Sequence, residues 1–196
     1  MKKGIIFSII LFFPLALVAD SEALPTQKVT ASYFGSCFFK MIPQKHDYQG
    51  LKAYGVAYCL AEDGSFKEMW KVSGWYSWRV YISDDGHYLV RMGPWASGDS
   101  VKKGDLAVAF YMDGKLLKEY STMDLVKDLK KIMRTASHYF WLASDATIQN
   151  SGNKFDPLMF NADFWLTTID GIKYHFDATT GTIVEEKKID LKPFPE

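Results

Sequence analysis

The sequence predicts a mainly β protein, an antiparallel meander or sandwich with one packed α-helix. Three observations predict it. About ten short runs rich in β-branched and aromatic residues recur between Ser36 and Glu185. Asp-Gly and Thr-Gly pairs separate many of these runs, and such a Gly supplies the positive φ that a tight hairpin needs. Only the stretch after Ser121 keeps its apolar residues at helical spacing.

The first segment reads as an address. Met1-Lys2-Lys3 is basic, Gly4 to Val18 is apolar apart from Ser8, and small residues follow at Ala16, Ala19 and Ser21-Glu22-Ala23. This is the layout of a secretory signal peptide over residues 1–23, cut after Ala19 or Ala23. Ser21 with Ala23 gives the better small-x-small pattern. The alternative is an uncleaved anchor, for which the apolar run is short. A single β-rich domain is expected over 24–188, with a flexible charged tail at 189–196. No transmembrane segment is expected once the leader is removed, and the location implied is periplasmic or secreted. Export also bears on Cys37 and Cys59, the only two cysteines. In an oxidising compartment the simplest reading is one disulfide, worth roughly 3 kcal/mol for a loop of this size. Two buried free thiols are the alternative, and no Cys-x-x-Cys suggests redox chemistry.

The predicted strands run from Ser36–Ile42 and Ala53–Ala61 through Phe66–Val72, Trp78–Ile82 and His87–Met92. They continue with Leu106–Tyr111, Lys115–Tyr120, Phe164–Ile169, Ile172–Phe176 and Thr182–Glu185. Asp84-Asp85-Gly86 suits a three-residue loop that pairs Ile82 with Tyr88 and Val80 with Val90. That register sets Arg79 directly across from Arg91. Asp170-Gly171, taken as a two-residue loop, pairs Ile169 with Ile172, Thr167 with Tyr174 and Trp165 with Phe176. Ser121 is a good N-cap with Asp124 three residues on. Leu125, Val126, Leu129, Ile132 and Met133 then form one apolar stripe on the expected helix. Two long polar connections, Gly93 to Asp105 and Asp145 to Pro157, break the pattern. The second carries Asn150-Ser151-Gly152-Asn153 at its tip.

The run Ser83-Asp84-Asp85-Gly86-His87-Tyr88-Leu89-Val90-Arg91-Met92-Gly93-Pro94-Trp95 resembles a family of exported bacterial β-rich proteins of unknown function. So do Leu106 to Tyr111, Gly114 to Lys118, Tyr120-Ser121, Ser137-His138-Tyr139 and the closing Phe176-Asp177 with Thr180-Gly181. The resemblance covers most of the chain after the leader and implies a secreted β domain without an assigned activity. The stretch from Asp170 to Gly181 is similar to one blade of a quinoprotein-like β-propeller. Ten strands make only two or three four-stranded blades, so propeller-like hairpins are expected and not a closed propeller.

Composition narrows the function classes. Lys plus Arg and Asp plus Glu are both 23, and this neutral balance argues against a broad electrostatic grip on nucleic acid, which needs a concentrated basic surface. His46, His87, His138 and His175 follow no metal-ligand spacing, and the Asp-rich turns follow no calcium-loop pattern. No metal or cofactor is implied. No Gly-x-Ser-x-Gly elbow, phosphate loop or suggestive carboxylate pair marks catalysis. The leading expectation is a non-catalytic binding or interaction module for a small-molecule or protein ligand. A hydrolase centred on His138 or His175 and an envelope docking protein are the alternatives. The candidate ligand-binding residues are Arg79, Arg91, His87, Trp95, His138 and His175. Like charges across a β pair repel, so Arg79 and Arg91 call for water, carboxylates or a bound anion. An anionic or sugar-like ligand on that face would find an aromatic wall in Trp75, Trp78 or Trp95.

Overall fold

The computed structural model describes residues 22–44, 52–98, 100–146 and 155–191. Residues 1–21, which hold most of the expected signal peptide, His46, the 150–153 loop tip and the last five residues lie outside the described residues.

Three four-stranded antiparallel meanders account for most of the fold, each with its strands in chain order. The first holds β1 (Lys28–Ala31), β2 (Cys37–Ile42), β3 (Tyr54–Leu60) and β4 (Phe66–Ser73). The second holds β5 (Val80–Ile82), β6 (Tyr88–Met92), β7 (Leu106–Met112) and β8 (Lys115–Ser121). Two short strands, β9 (Met133–Arg134) and β10 (Tyr139–Phe140), pair as a separate hairpin. The third meander holds β11 (Leu158–Phe160), β12 (Asp163–Thr167), β13 (Ile172–Asp177) and β14 (Thr182–Lys188). The fold is therefore mainly β with minor helix, as the turn pattern predicts.

The inner strands of the middle meander, β6 and β7, are buried on both faces, while β8 is largely exposed. Val80, Ile82, Leu89, Ala109 and Tyr111 join Phe39, Met41, Ala57 and Trp70 of the first meander in one core. Val90, Met92, Val108 and Phe110 join Phe164, Leu166, Tyr174 and Phe176 of the third in another. Successive residues of a strand point to opposite faces, so β6 and β7 serve both cores by alternation.

That double burial shifts the first expected register by one residue. Val80 lies opposite Arg91, Tyr81 opposite Val90 and Ile82 opposite Leu89. The loop is four residues long, closed by Ser83 N–H donating to the Tyr88 carbonyl. Asp85 Oδ1 stiffens it by accepting from the His87 N–H and the Ser83 hydroxyl. The turn seats on the Cys37–Cys59 disulfide, which joins opposed residues of β2 and β3. A Cβ on Gly86 would lie 2.2 Å from Cys59 Sγ, and its φ is 74°. Only glycine fits both conditions.

The last hairpin is also one residue out of the expected register. Leu166 faces Tyr174 and Phe164 faces Phe176, so these four fill the core while Trp165 and His175 face outward. Thr168 N–H bonds to the Ile172 carbonyl, making a loop of 169, 170 and 171.

The helix is shorter than its stripe suggests. α1 covers only Thr122–Leu125, with a complete capping box between Ser121 and Asp124. The buried carboxylate of Asp170 accepts the N–H groups of Lys127 and Asp128 at 2.8 and 2.9 Å. Asp128 then caps a single 3-10 turn at Leu129–Lys131. Helix propagation ends because a distant side chain has claimed its donors. A second short helix, α2, covers Ala143–Ala146. Among the described residues no helix is long and apolar enough to cross a membrane.

Candidate functional site

A cleft of about 370 Å³ opens where the end of β6, the following loop and the β9–β10 hairpin meet. Its walls are largely aromatic: Trp78, Trp95, Tyr139, Phe140 and Trp141. The loop from Gly93 is fixed onto the hairpin by backbone bonds from Tyr139 N–H to the Ala96 carbonyl and from Gly98 N–H to the Ser137 carbonyl. Gly93 is required at the turn out of β6, because a Cβ there would lie 1.8 Å from the Leu106 carbonyl oxygen. Trp141 is held from behind, its carbonyl accepting the Ile169 N–H. These contacts give the aromatic walls a rigid mounting.

Arg79 is the cleft's cation and Asp145, on α2, is its partner. The guanidinium makes a two-pronged contact, Nη1 to Oδ1 at 2.9 Å and Nη2 to Oδ2 at 3.0 Å. Burial pulls the Arg79 pKa down, and the bond and charge of Asp145 more than reverse this, so the net direction is upward. Planar fork-to-carboxylate geometry of this kind is the strong form of the interaction. The pair leaves the cleft wall polar yet locally neutral.

His138 is 3% exposed and packs between Trp95 at 4.1 Å and Phe140 at 4.6 Å. Its Nδ1 lies 2.7 Å from Thr135 Oγ1, in the turn that joins β9 to β10. Tyr139 reaches out of the cleft to donate to Asp105 Oδ2 at 2.8 Å. Burial first, then that carboxylate, pushes its hydroxyl up to about 12. It is a fixed donor across the physiological range.

Of the candidate residues read from the sequence, Arg79, Trp95 and His138 converge on this cleft. Arg91, His87 and His175 lie elsewhere. Arg79 stands opposite Met92, not Arg91, because Met92 N–H donates to the Arg79 carbonyl. The two arginines thus point to opposite faces, and the expected cross-strand repulsion does not arise. Arg91 stacks over Trp75 at 4.5 Å beside the first core. His87 sits at an exposed turn with Nδ1 2.7 Å from Asp113. His175 lies on the outer face of β13, stacked on Trp165 at 4.8 Å and 2.5 Å from Asp163 Oδ1. Among the described residues no three of His, Cys, Asp and Glu converge to hold a metal ion.

Asp145, Phe140 and Trp141 also line the cleft and are not among those candidates. Phe140 and Trp141 adjoin His138 in the run Ser137 to Trp141, and that density of aromatics was the available signal. Asp145 had none, since its partner is 66 residues away. No family model matches the chain, and no curated protein matches it in sequence.

Proposed function

We propose that the protein is an exported binding module whose cleft takes a small, neutral, ring-bearing polyhydroxylated ligand, of the saccharide type. The observation that carries this reading is the Arg79–Asp145 pair set among Trp78, Trp95, Phe140 and Trp141. Aromatic faces offer broad, rigid apolar contact at low entropic cost, which suits the C–H face of a sugar ring. The pair offers adjacent donors and acceptors for neighbouring hydroxyls without needing its charge cancelled. An anion would have to displace Asp145 and leave a carboxylate beside itself. The cleft volume falls in the range of small-ligand sites. The disulfide is compatible with export, since such bonds persist in oxidising compartments.

Binding is favoured over hydrolysis on a geometric ground. Both oxygens of Asp145 are engaged by Arg79, and Nδ1 of His138 is directed at Thr135. Neither group orients the other as an acid–base pair would require.

Tryptophan fluorescence titration with neutral mono- and disaccharides, uronates and free amino acids tests the proposal. Saturable change is expected with a neutral saccharide, insensitive to added salt. Trp95→Ala should weaken it by about tenfold or more, the scale of an aromatic anchor. No saturable response to any neutral saccharide, or a response confined to anions, overturns the reading.

A further inference from the structure

We propose that Glu22 and Ala23 belong to the mature chain and form one lip of the cleft, so that the leader is cut after Ala19 and not after Ala23. The lip's role toward a saccharide rests on the function proposed above; its place in the mature chain does not.

Terminal residues fray unless something ties them down. The chain just after this segment is tied at several points, whichever cut is made. Thr26 N–H donates to the Tyr76 hydroxyl at 3.2 Å, and that hydroxyl donates back to the Thr26 carbonyl at 2.8 Å. Lys28 Nζ donates to the Trp78 carbonyl at 2.5 Å. Pro25 fixes its own φ and holds Leu24 away from helical backbone, so the chain leaves the Tyr76 clamp along a restricted path. That path carries Ala23 into the wall of the cleft. The Glu22 carboxyl comes against the backbone N–H of Trp95. Burial raises that carboxyl above its ordinary range, and the Trp95 N–H pulls in the opposite direction.

Two consequences follow for the site. The lip adds a carboxylate acceptor beside the backbone N–H of Trp95, whose indole the ligand would stack on. A cut after Ala23 would delete that acceptor and a wall residue. It would also set the new ammonium of Leu24 near the cleft, exchanging a negative group for a positive one.

Three measurements test this. The chain exported from the full-length precursor is sequenced from its N-terminus: Asp20 as first residue is expected, and Leu24 overturns the proposal. Chains 20–196 and 24–196 are then compared by hydrogen exchange at the Trp95 amide. Exchange about tenfold faster in the shorter chain is expected; equal exchange overturns the lip. Saccharide titration of Glu22→Gln in the longer chain completes the test, with affinity about fivefold lower expected from a weakened acceptor. Unchanged affinity overturns the ligand role of Glu22. If neither the longer chain nor its variant binds a saccharide while the exchange difference stands, the function reading fails and the lip survives.

Discussion

His87 shows how a single turn residue couples stability to pH. Its ring is about half exposed and lies 2.7 Å from Asp113 Oδ1. The hydrogen bond to Asp113 raises the His87 pKa, against a smaller opposing effect of desolvation. A raised histidine stabilises the fold fully below the unfolded value of about 6.5. That contribution is lost as pH rises through the folded value. Asp113→Asn is the clean probe, because asparagine tolerates the positive φ of 48° at this position. The urea midpoint gap between wild type and Asp113→Asn should be wider at about pH 5.5 than at about pH 9. A gap independent of pH would show that the pair does not couple to folding. The effect is small, because exposed pairs are screened.

The same scale shows what could be read of the site. Arg79, Trp95 and His138 stand out in the sequence as charge, aromatic bulk and a titratable ring. The features that mark them in the sequence are only partly those that place them in the cleft. Arg79 attracted notice through an expected clash with Arg91, yet its actual neighbour is Asp145. Pairwise contacts across tens of residues leave no trace in local spacing, so the cation was legible and its counterion was not.

At the scale of elements, turns were more legible than registers. Gly64, Gly86, Gly114, Gly171 and Gly181 all adopt positive φ, as their turn positions require. The flanking registers depended on reading which face is buried. In β6 both Leu89 and Val90 are 0% exposed, so alternation offered no preference between the two pairings. The helix failed for a different reason. Its apolar stripe is present, but Asp170 withdraws two backbone donors from it. Asp170 also accepts the Thr168 hydroxyl at 2.5 Å, and its carbonyl accepts Lys188 Nζ. Asp170→Ala would orphan the N–H groups of Lys127 and Asp128 and take away the Thr168 hydroxyl's carboxylate partner, and should cost about 2–4 kcal/mol by urea denaturation. Asp170→Asn keeps an acceptor oxygen and should cost less. Equal, negligible losses in both variants would mean that the 126–131 segment holds its shape without this carboxylate.

For the whole molecule, the decisive feature is that the middle meander belongs to two cores at once. Leu89 packs into the core shared with the first meander, and its neighbour Val90 into the core shared with the third. A strand cannot be lost from one core and kept in the other, so the three sheets should unfold together. The disulfide makes this testable, because it lies wholly in the first meander. Reducing Cys37–Cys59 relaxes the unfolded chain and should lower stability by about 3 kcal/mol. It also loosens the seat of the Gly86 turn, where Trp70 Nε1 donates to the Gly86 carbonyl at 2.7 Å. Tryptophan fluorescence and far-ultraviolet circular dichroism should therefore shift to lower urea by the same amount, with one coincident transition before and after reduction. Hydrogen exchange in β12 and β13, remote from the sulfurs, should accelerate along with exchange in β3. If the first meander melts separately while β12 and β13 keep their protection, the double burial of β6 does not link the sheets, and the stack behaves as independent layers.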